Sequence, residues 1–168
     1  MKLRKLKKQD APMMLEWMHD PQVVENMKTD FLSKTIQDCE RFIEQAQNTS
    51  ESLHLAIADD RDEYMGTVSL KHIRDKTAEL GITVRRCAMG KGFSAFGMKE
   101  IIRTGFEKLA LKSIYWCVDP QNGRAVRFYE KNGCRRCPCP AQAEDYSQEE
   151  KDRFIWFSVP ASGERENP

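Results

Sequence analysis

Residues 84–109 read "VRRCAMGKGFSAFGMKEIIRTGFEKL", and this stretch decides how the rest of the chain is read. Gly90 and Gly92 flank Lys91, Arg85 and Arg86 precede them, and a long segment follows with Phe93, Met98, Ile101, Ile102, Phe106 and Leu109 at helical spacing. Just upstream, "TAELGITV" alternates, with Leu80, Ile82 and Val84 on one face, so it reads as a strand. Glycines between a strand and a helix permit tight backbone turns and leave amides uncovered. The helix start gathers further amides, with its dipole behind them, into an anion site. Residues Cys87, Ala88, Met89, Gly90, Lys91 and Gly92 are therefore predicted to offer amides to a phosphate or pyrophosphate. Arg85, Arg86 and Lys91 are predicted to add mobile positive charge. A plain strand-to-helix turn would use the same residues. A Walker loop is excluded, because one residue separates the glycines and no Ser or Thr follows the lysine directly. A dinucleotide fingerprint is excluded because the third glycine is missing.

Working outward, "KLRKL" alternates as a short first strand, and "DAPMMLEWMHD" reads as a helix with Asp10 at its N-cap and Pro12 in its first turn. "SKTIQDCERFIEQAQN" places Ile36, Cys39, Phe42, Ile43 and Ala46 on one helical face, with Ser33 or Thr35 as cap. "SLHLAIADD", "YMGTVSLKHI" and "TAELGITV" form a meander joined by the turns "RDE" and "RDK", with Gly66 as a possible bulge. Gly97 and Gly105 each cost a helix about 1 kcal/mol against alanine. Either a sheet or ligand approaches closely there, or they are tolerated weak spots. "SIYWCV" is a strand, "NGRAVRFYEKNG" a short helix closed by Gly133, and "RFIWFSV" a last strand. This order predicts an α+β fold with a mostly antiparallel sheet. The strand after the long helix needs a crossover and should lie parallel to the one before it.

The chain's 168 residues suit a single domain over 1–160, with a polar tail over 161–168. A formal net charge of +1 gives no global field for nucleic acid or an acidic membrane. The basic start "MKLRKLKKQD" has no apolar run behind it, and no stretch is long enough to span a bilayer, so the expectation is a soluble, cytoplasmic protein. "CRRCPC" supplies three of the six cysteines, whereas a closed zinc site needs four ligands, and His19, His54 and His72 lie far upstream. No metal is expected, and the cysteines read as free thiols.

"CAMGKG", the helix after it, and "SIYWCVDPQNGRAVRFYEKNGC" together resemble the GNAT superfamily of N-acetyltransferases. Gly90 and Gly92 match its loop glycines. Asn122, Ala125, Tyr129, Glu130, Lys131 and Gly133 match its second motif. Cys87 departs from the family's Gln or Arg, and Cys134 from its Phe. The element order agrees as well, and the resemblance is closest to the branch of ribosomal-protein N-terminal, spermidine and amino-sugar acetyltransferases.

The resemblance implies a twisted mixed sheet with helices on both faces and central strands splayed around CoA. It implies acetyl-CoA as donor and a primary amine as acceptor: a protein N-terminus, a polyamine or an amino sugar. Transfer would be direct, within a ternary complex, by a monomer or homodimer. Ile82, Thr83 and Val84 would pair with the pantetheine like a strand. An amine of pKa about 10.4 is only about 0.04% neutral at pH 7, so a base is needed. Glu79 or a water chain would serve; alternation equally allows Glu79 to face solvent. Tyr129 takes the position of the acid that protonates the leaving thiolate; the alternative is a half-buried Tyr that packs with Val126 on a short helix. Asn122 would cap the second helix, contact the cofactor, or do both. Trp17, Asp20, Glu25 and Met27 fall in the segment that borders the family's acceptor groove, where the two acids would either attract a cationic amine or form a solvated helix end. The alternatives are a catalytically idle CoA-binding module and an unrelated nucleotide binder.

Overall fold

The computed structural model describes residues 1–47 and 49–161. The end of the "SKTIQDCERFIEQAQN" segment, Asn48, and residues 162–168 of the predicted tail lie outside the described residues. The elements follow in the order β1 (Lys2–Lys5), α1 (Ala11–Met18), α2 (Pro21–Val24), α3 (Ile36–Gln45), β2 (Leu53–Ala58), β3 (Tyr64–Arg74), β4 (Thr77–Val84), α4 (Phe93–Lys108), β5 (Ser113–Val118), α5 (Gly123–Lys131), β6 (Arg135–Cys137), α6 (Gln148–Arg153) and β7 (Ile155–Pro160). Among the described residues they build one open sheet in the order β1-β2-β3-β4-β5-β7-β6. Every neighbouring pair is antiparallel except β4 and β5, which run parallel as the crossover through α4 requires.

Helices cover both faces. Under α4 and α5 the sheet buries Val68, Leu70, Leu80, Ile114, Trp116 and Phe157 against Ile101, Val126 and Tyr129. Under α1–α3 it buries Ala56 and Tyr64 against Met14, Trp17, Cys39 and Ile43. The two costly helix glycines are explained by close approach. A Cβ on Gly105 would stand 2.9 Å from Ile114 Cδ1 and 3.1 Å from Leu70 Cδ1, and one on Gly97 would collide with Ile57 Cδ1. Gly66 lies at an irregularity where Ile57 pairs with Gly66 but Ala58 pairs with Tyr64, leaving Met65 outside the register. A Cβ there would run into the carbonyl oxygen of Thr83 on β4.

The helix expected over "DAPMMLEWMHD" ends at Met18, and Asp20 opens the separate α2 by accepting from the Gln22 amide at 3.1 Å. Asp10 occupies the N-cap position of α1, yet its side chain makes no cap there. It turns back, fully buried, to take 2.7 and 2.8 Å hydrogen bonds from Arg4 and one of 2.9 Å from the Lys7 amide, fastening β1 to the helix start. Thr35, by contrast, caps α3 in a reciprocal pair with Asp38. The sequence reading missed β6 and α6. β6 is three residues long, too short to alternate, and α6 ("QEEKDR") buries no residue, so neither leaves a periodic signal.

Candidate active site

β4 and β5 pair only at Thr77 with Ser113, Ala78 with Ile114 and Glu79 with Tyr115. Past Glu79 the strands part, while β4 stays paired to β3 as far as Val84. The β5-facing edge of residues 81–84 is thus without a strand partner. The opening is floored by the glycine loop and flanked by α5. It holds a cleft of 190 Å³ lined by Val23, Met27, Ile82, Thr83, Val84, Met89, Gly90, Ser94, Asn122, Arg124, Ala125, Phe128 and Tyr129.

Seven of the predicted catalytic and cofactor-binding residues meet here: Ile82, Thr83, Val84, Met89, Gly90, Asn122 and Tyr129. Cys87 is exposed, Ala88 is packed in the core, and neither they nor Lys91 and Gly92 line the cleft. The loop folds back on itself, since the amides of Ala88, Met89 and Lys91 donate to the carbonyls of Arg85, Arg86 and Ala88. Gly90 (φ +73°) and Gly92 (φ +85°) are left-handed, and among the described residues their amides have no hydrogen-bond acceptor. Gly92 is the N-cap of α4 and no side chain caps it, so the first-turn amides of α4 are open beside Gly90.

The positive charge differs from expectation. Arg85 is not mobile: it donates to both oxygens of Glu16 at 3.1 and 2.8 Å, to Glu63 at 2.6 Å and to the Tyr64 carbonyl at 3.1 Å. Arg86 is held by Asp20 at 3.0 Å and Gln22 at 2.8 Å. The cation that does line the cleft is Arg124, set by the Met89 sulfur at 3.4 Å and the Gln22 carbonyl at 3.3 Å. Its signal lay in the sequence. A cation in the first turn of a helix opposes the dipole, an arrangement that a bound anion would repay.

Tyr129 packs against Trp116, Phe128 and Phe157 at ring separations of 5.1–5.4 Å. Burial, with Cys134 and Cys117 adding to it, raises its phenol well above the ordinary value of 10.0, so the hydroxyl keeps its proton. Asn122 Oδ1 accepts from the Ala125 amide at 3.1 Å, capping α5 at the cleft wall.

A second cavity, of 410 Å³, opens on the opposite face of the sheet beneath α1 and α3. Ile82 and Thr83 line it as well as the cleft, so the two meet across the free edge of β4. Trp17, Phe31, Phe42, His54, Thr67, Ser69 and Lys71 are among its walls. Trp17 Nε1 donates to Tyr64 Oη at 3.0 Å, which lies 2.7 Å from Thr67 Oγ1. His54 Nδ1 lies 2.7 Å from Ser69 Oγ, and burial, with Lys71 nearby, brings the His54 pKa down to about 4. Of the predicted acceptor residues, Trp17 lines this cavity and Met27 the cleft. Asp20 and Glu25 line neither, because Asp20 caps α2 and pairs with Arg86, while Glu25 is exposed beside Asn26.

Glu79 does not face solvent. It is 5% exposed, and its Oε1 accepts from Lys71 Nζ at 2.9 Å and from Tyr146 Oη at 2.9 Å. Lys71 also lines the larger cavity. Tyr146, which the sequence reading passed over, comes from the irregular segment between β6 and α6. Among the described residues no cluster of three or more His, Cys, Asp or Glu side chains is placed to hold a metal ion, and no helix is long and apolar enough to cross a membrane.

Comparison with known proteins identifies the family and the fold. The family model described as an acetyltransferase (GNAT) domain matches residues 1–135. Acetyltransferase PseH of Campylobacter jejuni is 24% identical over 127 residues, which span 76% of this chain and 78% of that one. A crystal structure of spermidine N-acetyltransferase from Vibrio cholerae, in complex with CoA and spermine, superposes with a TM-score of 0.78 at 19% identity, covering 95% of this chain and 94% of that one. An acetyltransferase of the GNAT family from Bacillus anthracis gives a TM-score of 0.73 at 18% identity, covering 94% and 93%.

Proposed function

The chain belongs to the GNAT acetyltransferase family, and from that membership we propose that it carries an acetyl group from acetyl-CoA to a primary amine by direct transfer between two substrates bound together. It is an acyltransferase with acetyl-CoA as donor. One observation carries the rest of the reading: the cleft and the larger cavity share Ile82 and Thr83 on the unpaired edge of β4. A donor in one and an amine in the other would meet there without a covalent intermediate on the protein.

In this reading the open amides of Gly90, Gly92 and the first turn of α4 hold the pyrophosphate, with Arg124 in place of the arginines of the loop. The edge of Ile82, Thr83 and Val84 pairs with the amides of the pantetheine and aims a backbone N–H at the thioester oxygen. Tyr129 stays protonated and gives its proton to the departing thiolate. Glu79, paired with Lys71, takes the amine proton, relayed by water in the cavity because the carboxylate is set behind the wall. Among the described residues Cys87 has no histidine partner, and in this reading it forms no acyl intermediate.

The test is a thermal-shift series followed by turnover. Acetyl-CoA should raise the melting temperature, and ATP or NAD should not. Acetylation of any member of an amine panel then establishes transfer. Stabilisation by acetyl-CoA with no turnover across the panel would leave a CoA-binding module, and stabilisation by ATP or NAD alone would overturn the reading.

A further inference from the structure

Resting on the assignment of the larger cavity to the acceptor, we propose that the acceptor amine carries an anionic group, a phosphate or a carboxylate, which Lys34 and Arg41 receive. The cavity is polarised. Its floor is the sheet, where Ile82 and Thr83 mark the end at which transfer would occur. Its outer wall is α3 and the residues just before it, which bring Lys34, Asp38 and Arg41.

The cavity is lined by three cations, Lys34, Arg41 and Lys71, and by one carboxylate, Asp38. Lys71 is neutralised from behind by Glu79 at 2.9 Å. Asp38 is engaged in the structure of its own helix. It accepts from the Thr35 amide at 2.9 Å and the Thr35 hydroxyl at 2.8 Å, and pairs with Arg41 at 3.3 Å. His54 is neutral at physiological pH. Lys34 is half-buried, and among the described residues its ammonium makes no hydrogen bond or ion pair, although it lies within electrostatic reach of Asp38. Arg41 contacts Asp38 through one nitrogen and keeps its other donors free.

A polyamine bound at its reacting end would push its remaining ammonium groups toward this wall, where like charges repel. An amine with a phosphate or carboxylate would find an unpaired ammonium and a guanidinium fork, the donor set that suits both anions.

Matched acceptors test this. Glucosamine is compared with glucosamine 6-phosphate, and alanyl-alanine amide with alanyl-alanine, with spermidine as the polycation. Each is assayed for kcat/KM with acetyl-CoA and, independently of turnover, for binding by calorimetry to protein saturated with CoA. The anionic member of at least one pair should be favoured by about tenfold or more, with spermidine the poorest ligand. The preference should shrink from about 20 mM to about 500 mM salt, where the Debye length shortens. Lys34→Gln combined with Arg41→Gln should bring the ratio within each pair toward one, while Lys99→Gln on α4 should leave it. Which pair responds separates phosphate from carboxylate. Anionic preference in binding without acetylation would sink the transfer reading and keep this one; acetylation without that preference would do the reverse. Stronger binding of spermidine or of the neutral members, an unchanged ratio in the double variant, or no binding by either anionic member would overturn the proposal.

Discussion

Glu79 and Tyr115 are the last residues at which β4 and β5 remain paired, and the parting of the two strands beyond them creates the site. Glu79 therefore lies at the closed end of the opening. It is fixed there by Lys71 from β3 and by Tyr146 from the segment before α6, so three separate parts of the chain converge on one carboxylate. At the open end lie the glycine loop and Tyr129, which packs on Trp116 at 5.2 Å.

Gly90 tests the anion cradle. A Cβ there would meet nothing within 4 Å, so the fold has room for a side chain, although φ of +73° disfavours one. Gly90→Ala and Gly90→Val should both fold. Affinity for CoA should fall in the order Ala then Val, by more than tenfold for Val, or over about 1.4 kcal/mol. Calorimetry decides it; unchanged affinity in a folded Val variant would reduce the loop to a turn.

Much of this architecture was legible in the sequence, for a physical reason. The meander, the loop, α4 and α5 are local patterns, with alternation, helical spacing and glycine punctuation written within a dozen or so neighbours. What was not legible depends on partners distant in the chain. Arg85 read as mobile because Glu63 and Glu16, which immobilise it, stand 22 and 69 residues away. Tyr146 reaches Glu79 across 67 residues from a segment with no periodicity. The larger cavity takes its lining from α1, α3 and three strands, and no local motif announces it.

His54 gives the stability a pH dependence. Its folded pKa of about 4 lies below the 6.5 of a free imidazole. Above 6.5 both folded and unfolded chains carry it neutral, and it contributes no slope. As pH falls through 6.5 the unfolded chain takes the proton first, so stability is lost progressively until about 4, where the loss levels off. His54→Gln should flatten this part of a plot of melting temperature against pH. An identical slope in the variant would move the effect elsewhere.

Cys137 and Cys139 pack, partly buried, beside Tyr115, Ala143 and Trp156. Replacing both by Ser should leave CoA binding unchanged and lower the melting temperature by only a few degrees, as for a modest loss of apolar contact. Metal analysis of protein purified without added metal should find none. Stoichiometric zinc would defeat the reading of these thiols as packing groups.

Tyr129→Phe isolates the proposed acid. The ring sits among Trp116, Phe128 and Phe157, and its hydroxyl makes no hydrogen bond among the described residues. Removing the oxygen therefore leaves the packing in place and orphans no partner, so the melting temperature should hold or rise slightly. Loss of a general acid typically costs about 10² to 10⁴ in rate, and a loss near the lower end is expected here because water in an open cleft can stand in for the phenol. KM for acetyl-CoA should change little, since the hydroxyl acts on the leaving sulfur as the bond breaks. The raised phenol pKa adds a second signature. Wild-type kcat should show no decline from deprotonation of Tyr129 up to pH 9, because the group remains protonated throughout. Measurement of kcat from pH 6 to 9 with a working amine, using presteady-state turnover so that product release does not mask chemistry, decides the matter. Equal rates for the two proteins would remove Tyr129 from the mechanism and leave it as part of the cleft wall.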